Sequence, residues 1–100
     1  MANTKRQDLP EVLEKTYIPR EYQVLLHNDN YTTMEFVIQI LVQVFGKSTQ
    51  EAYSITMQIH ESGKGLAGIY SKEIAETKVY EVQSYAKDNR HPLKVTMETL

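Results

Sequence analysis

The stretch Leu26-His27-Asn28-Asp29-Asn30-Tyr31-Thr32-Thr33-Met34-Glu35-Phe36-Val37 contains a strand end, a polar loop and a helix start. Before it, Tyr22, Val24 and Leu26 alternate with Gln23, Leu25 and His27, the period of a strand buried on at least one face. Asn28-Asp29-Asn30 interrupts that strand, because these side chains favour local backbone hydrogen bonds over a ladder. Thr32 and Glu35 have the spacing of a capping box, so a helix is expected to begin there. Its apolar stripe is Val37, Ile40, Leu41, Val44 and Phe45. Met34, Phe36, Ile38 and Val42 are apolar as well, so the hydrophobic surface wraps beyond one stripe. Gly46 suits the left-handed position that closes such a helix.

Outward from this stretch the same signals repeat. Ser48 and Glu51 form a second capping box, and the helix they start carries Ala52, Ile55 and Ile59 toward a core and ends at Gly63. Leu66 to Tyr70 reads as a strand loosened by Gly65 and Gly68. Ser71 is a plausible cap for a third helix, with a buried stripe of Ala75, Val79, Val82 and Ala86. Asn89 and Pro92 close it, and Leu93, Val95 and Met97 alternate with Lys94, Thr96 and Glu98 in a last strand. The order β-α-α-β-α-β predicts an α+β fold, a single small α/β sandwich with three helices on a mostly antiparallel three-stranded sheet. Residues 1–19 have few apolar side chains, balanced charges, and Pro10 and Pro19 as helix breakers. They are expected to form a flexible N-terminal extension, with the folded domain covering 20–100.

Composition narrows the function. One hundred residues support one domain with a modest core. A formal charge of −2 leaves no electrostatic footprint for nucleic acid. No apolar run is long enough to cross a membrane, and the N-terminus lacks the apolar stretch of a secretory signal. The expectation is a cytoplasmic protein. The absence of cysteine excludes disulfides and thiol catalysis.

Each candidate site residue has a plain structural role beside a functional one. Asn28, Asp29 and Asn30 suit a loop that ends a strand and caps a helix. A primary ammonium has three donors and no acceptor, so a site for it needs convergent oxygens or neutral imidazole nitrogens. Asn28, Asp29 and His60 are suitable if the second helix lies beside the loop. His60 alone is equally a helix-end histidine near free carbonyls, and it lacks the partner histidine of a zinc helix. Met34 and Val37 share one side of the first helix, as core or as binding floor. Gly63-Lys64-Gly65 lacks the remaining residues of a phosphate loop. Glu73 and Lys78 read as a solvated helix face.

Several of these segments occur together in a distinctive order: Tyr22-Gln23-Val24-Leu25-Leu26, Asn28-Asp29, Tyr31-Thr32, Met34-Glu35-Phe36-Val37, His60, Gly63-Lys64, Ala75-Glu76-Thr77-Lys78-Val79 and His91-Pro92-Leu93. From about Tyr22 to Glu98 the chain resembles the ClpS adaptor family of the Clp protease. The resemblance implies a monomeric, non-enzymatic adaptor with no cofactor. Such adaptors recognise proteins with a free destabilising N-terminal residue (Leu, Phe, Tyr or Trp) and deliver them to a ClpA- or ClpC-type AAA+ unfoldase, docking on its N-terminal domain. It assigns the α-amino contacts to Asn28, Asp29 and His60. It assigns the hydrophobic pocket to Thr32, Met34, Val37, Thr56, Ile59 and Leu93, with Met34 as a gatekeeper against β-branched residues. Glu73 and Lys78 fall on the unfoldase-docking surface, and the extension is implicated in delivery.

Two positions depart from the family pattern. Asn30 replaces a frequent second Asp, which removes one carboxylate near the ammonium. Thr56 replaces a usual methionine, which is expected to enlarge and slightly polarise the pocket and to shift preference from Leu toward large aromatics, Tyr included. A neutral His60 acceptor would also lose its role on protonation, so binding is expected to weaken in acid. Two other functions are compatible with the residues. One is a different interaction module on the same sandwich, for example ribosome-associated. The other is an enzyme using Asp29 and His60 as an acid/base pair, although no serine elbow, metal set or phosphate loop accompanies them.

Overall fold

The computed structural model describes residues 20–100. The expected N-terminal extension, 1–19, lies outside the described residues. The elements are β1 (Glu21–His27), α1 (Met34–Gln43), α2 (Thr49–Ser62), β2 (Lys64–Ser71), α3 (Lys72–Asp88) and β3 (Lys94–Thr99). They form a three-stranded sheet of order β2-β1-β3. Both pairings are antiparallel, and the three helices lie on the sheet in the predicted order.

The inner sheet face carries Val24 and Leu26 of β1, Ala67 of β2 and Val95 of β3. With Phe36, Val37, Ile40 and Leu41 of α1, Ala52 and Ile59 of α2, and Ala75, Val82 and Ala86 of α3, they form one hydrophobic cluster. Most of the expected stripes are therefore buried, while Ile55 and Val79 are only partly so. β2 is longer at both ends than the sequence implies. Its register against β1 shifts between Val24 and Leu25. This irregularity turns both Ala67 and Gly68 away from the outer face, where Leu66 and Ile69 remain exposed.

The helix ends differ in detail from expectation. Thr33, not Thr32, caps α1, with its hydroxyl accepting the Phe36 N–H at 3.2 Å. Thr32 is unavailable because its hydroxyl donates to Asp29 Oδ2 at 2.7 Å. The Ser48–Glu51 capping box at α2 is complete. Ser71 occupies the cap position of α3 but makes no side-chain cap bond. Gly46 has the expected left-handed conformation, φ 66°.

α3 ends where Asn89 and Pro92 predict, with Asn89 as its C-cap, but the left-handed residue that follows is not a glycine. Arg90 lies in the left-handed region at φ 58°, a place where glycine is usual. The Arg90 N–H donates to Lys87 O at 3.1 Å and the His91 N–H donates to Ala86 O at 2.8 Å, the paired bonds of a Schellman motif. This reversal stacks the His91 ring on Phe36, with centroids 4.2 Å apart. It also directs Leu93 inward, in phase with Val95.

Candidate functional site

The register of β1 and β2 assembles the site. His27 is paired with Lys64, so the loop after β1 begins where α2 ends. Gly63 makes that ending possible. Its φ of 93° is costly for a residue with a Cβ, and in this conformation its N–H donates to Ile59 O at 2.9 Å. The Gly63 carbonyl then accepts the Asn28 N–H at 2.8 Å, which ties the loop directly to the helix end. Gly65 brings β2 close beneath α2, since a Cβ there would lie 2.7 Å from Ile59 Cγ1.

Asp29 organises the loop. Its Oδ1 accepts the backbone N–H groups of Tyr31 (2.8 Å) and Thr32 (2.7 Å), and its Oδ2 accepts the Thr32 hydroxyl. Burial alone would raise the Asp29 carboxyl. The hydrogen bonds from Thr32 and Tyr31, with the nearby His91, outweigh burial and hold it below the ordinary carboxylate value. The oxygens expected to face an ammonium are thus turned toward the loop. Asp29 retains its charge beside the site.

Between this loop and α2 lies a cavity of about 270 Å³, lined by Asn28, Asp29, Asn30, Thr32, Met34, Val37, Thr56, Ile59 and His60. Val37, Thr56 and Ile59 are buried and form its depth, while Asn28, Asn30 and His60 are exposed and form its rim. Met34 stands at the edge, 36% exposed. Thr56 and His60 are four residues apart on α2, so floor and rim are one helical turn apart on one face. The side chains of Asn28 and His60 have no hydrogen-bond partner among the described residues. The cavity therefore combines acceptors at its mouth with a shaft that is apolar except for Thr56. Among the described residues no group of three His, Asp or Glu is placed to hold a metal, and no helix is long and apolar enough to cross a membrane.

Eight of the expected positions line this cavity: Asn28, Asp29, Thr32, Met34, Val37, Thr56, Ile59 and His60. Leu93 does not. It is buried in the core cluster, because the turn at Arg90 sends it inward with β3. Asn30 also lines the rim, at the position where the family resemblance puts a second acidic residue near the ammonium. Thr56 differs from expectation in chemistry. Its hydroxyl donates to Ala52 O at 2.7 Å, so its proton is not available to the cavity.

Glu73 and Lys78 lie away from the cavity on α3. Glu73 is exposed in the first turn. Lys78 is not simply solvated, since its Nζ donates to Val44 O, the C-cap of α1, at 2.7 Å. It also lies 5.8 Å from the Tyr70 ring centroid and 3.9 Å from Glu81 Oε1. α1 has no basic residue in its own last turn, and Lys78 supplies that charge from a neighbouring helix.

The family model of the ATP-dependent Clp protease adaptor protein ClpS matches residues 18–96. The chain is 51% identical over 94 residues to the ATP-dependent Clp protease adapter protein ClpS of Desulforapulum autotrophicum, covering 94% of this chain and 90% of that protein. The Desulfatibacillum aliphaticivorans protein of the same name is 48% identical, with 98% of each chain covered. Among solved structures, Agrobacterium tumefaciens ClpS2 bound to L-phenylalaninamide superposes with a TM-score of 0.79 at 35% identity, covering 82% of this chain and 99% of that one. With the strand order, the helix arrangement and the sequence agreeing over nearly the whole described domain, the chain belongs to the ClpS family of Clp protease adaptors, which are not enzymes.

Proposed function

We propose that this adaptor captures the free N-terminal residue of a substrate protein in the cavity beside α2 and delivers that protein to a Clp AAA+ unfoldase. The observation that carries the reading is the layout of the cavity, with acceptors at the mouth that have no partner among the described residues and buried side chains, apolar except for Thr56, below. Asn28 and His60 accept hydrogen bonds from the α-ammonium, and the Asp29 charge favours it through space. The first side chain, large and hydrophobic (Leu, Phe, Tyr or Trp), descends past Met34 onto Val37, Thr56 and Ile59. A β-branched side chain would crowd Met34, and overfilling a packed pocket costs about 1–3 kcal/mol. Acetylation removes the charge and two of the donors, leaving the rim without its partner. L-phenylalaninamide, the molecule bound to the Agrobacterium relative, has this chemistry: a free amino group beside an aromatic side chain.

Delivery involves the exposed Glu73 and the α3 surface around Lys78, facing the N-terminal domain of a ClpA- or ClpC-type unfoldase, together with residues 1–19. The protein acts as a cytoplasmic monomer, without a cofactor. Peptides identical except for the first residue (Leu, Phe, Tyr, Trp, Ile, Met and N-acetyl-Phe) test the capture step by fluorescence anisotropy. Selective binding of the free large hydrophobic termini is the expected result. Equal binding of N-acetyl-Phe and Phe peptides would refute it. Removing residues 1–19 is expected to preserve peptide affinity and abolish delivery.

A further inference from the structure

Thr56 is the one buried polar side chain in the described core, 2% exposed, and it lies in the depth of the cavity. A threonine hydroxyl has one donor and two acceptor lone pairs. The donor is engaged by Ala52 O at 2.7 Å, inside the same helix. Toward any other neighbour Thr56 Oγ1 is therefore an acceptor only. The other buried side chains of the floor, Val37 and Ile59, have no polar atoms, so Thr56 is the polar side chain of the floor.

The spacing of rim and floor indicates which donor fits. His60 and Thr56 are four residues apart on α2, a rise of about 6 Å along the helix. A ligand held by its ammonium at His60 and Asn28 brings the far end of an aromatic side chain, rather than its first carbons, to the level of Thr56. Tyrosine carries an O–H at that end. Phenylalanine and leucine carry none.

We infer that Thr56 Oγ1 is a specificity-determining acceptor for the phenolic hydroxyl of an N-terminal tyrosine, so that this adaptor favours Tyr over Phe at the first position. This rests on the proposed capture of free N-termini and refines it by assigning the floor a polar preference. A floor of hydrocarbon alone would penalise tyrosine, because the buried hydroxyl would lack a partner.

The test compares Tyr- and Phe-initiated peptides of otherwise identical sequence on the full chain and on Thr56→Val and Thr56→Ser. Valine preserves the shape and removes the oxygen, whereas serine keeps the oxygen and removes the methyl. The Tyr/Phe affinity ratio is expected to fall about 3- to 10-fold in Thr56→Val, the range of one net neutral hydrogen bond. In Thr56→Ser the ratio should stay near that of the parent. Because the readout is a ratio, a change in folding or cavity volume that affects both peptides equally does not mimic it. A ratio unmoved by Thr56→Val, or moved equally by Thr56→Ser, would overturn the inference while leaving capture of free N-termini intact. Failure of the parent chain to bind either peptide would overturn both.

Discussion

At the cavity rim, Asn28 and His60 are exposed and have no side-chain hydrogen bond among the described residues. On α3, Lys78 is held by Val44 O, by Tyr70 and by Glu81, with its side chain 26% exposed. All three are polar residues on helix ends, loops or faces, and each has a plain solvated reading in the sequence. The difference lies in where their hydrogen-bonding capacity is directed. The rim groups leave theirs open and are fixed through the backbone, by the Asn28–Gly63 bond and the α2 helix. Lys78 uses its own to close the end of α1. Open acceptors positioned by backbone contacts suit ligand capture, and an engaged ammonium suits the framework.

The sharpest way to break this comparison is to remove the rim groups. His60→Ala or Asn28→Ala is expected to cost about 1.5–3 kcal/mol in binding a Phe-initiated peptide, roughly 10- to 150-fold, as for a hydrogen bond to a charged group. The thermal midpoint should barely move, since neither side chain holds the fold together. A large loss of stability with intact binding would reverse the assignment of roles.

Lys78→Met is the converse experiment. It keeps the stem and deletes the charge, and about 1 kcal/mol of folding stability should be lost with the α1 cap. Peptide affinity should hold, and urea unfolding read beside anisotropy separates the two. Stability equal to the parent, with delivery alone lost, would instead make Lys78 a docking charge without a framework role.

A smaller effect is expected at Arg90, where the framework bears a left-handed conformation. Arg90→Gly should stabilise by about 0.5 kcal/mol, the difference between relieving the αL strain and adding glycine's chain entropy. Unfolding midpoints would detect it, and destabilisation would show that the Arg90 side chain contributes contacts of its own.

The smallest effects come from pH. His27 is held below the ordinary imidazole value by burial, then by the charges of Lys94 and Lys64, against a smaller opposing effect of Glu98. Its folded form resists protonation, so its contribution is present above the ordinary imidazole range and is lost as pH falls toward the lowered value. The Asp29 carboxyl is also lowered in the folded chain. Its contribution is present above the ordinary carboxylate value and disappears as pH falls through the lowered one. Stability should therefore decline in two steps on acidification. Thr96 Oγ1 lies 2.8 Å from His27 Nε2, and His27→Gln should remove the first step while Asp29→Asn flattens the second. A flat profile in the parent would contradict both.

Much of the fold is legible in the sequence because its signals are local. Ser48 and Glu51 sit at capping-box spacing and form one, and the alternation from Tyr22 to Leu26 marks β1 correctly. Sequence and structure part where a third residue changes the local competition. Thr32 has the spacing of a cap, but Asp29 takes its hydroxyl and Thr33 caps α1. Asn89 and Pro92 mark the end of α3 and alternation puts Leu93 in phase with Val95, but the left-handed turn at Arg90 carries no glycine to announce it. Family resemblance, rather than spacing, names the cavity residues. Their convergence depends on the long-range His27–Lys64 pairing and the Asn28–Gly63 bond, which no spacing rule supplies. Lys78's attachment to Val44 spans 34 residues and is likewise beyond a local reading.

The central claim is that the rim reads a free amino group while the shaft reads the side chain. Calorimetric titration with L-phenylalaninamide and with N-acetyl-L-phenylalaninamide isolates that claim, because the two ligands share the side chain and differ at the nitrogen. Saturable binding of the first, with at least a roughly tenfold loss for the second, is the predicted result. Equal affinities would mean that the rim does not recognise the amino group, and would contradict the account.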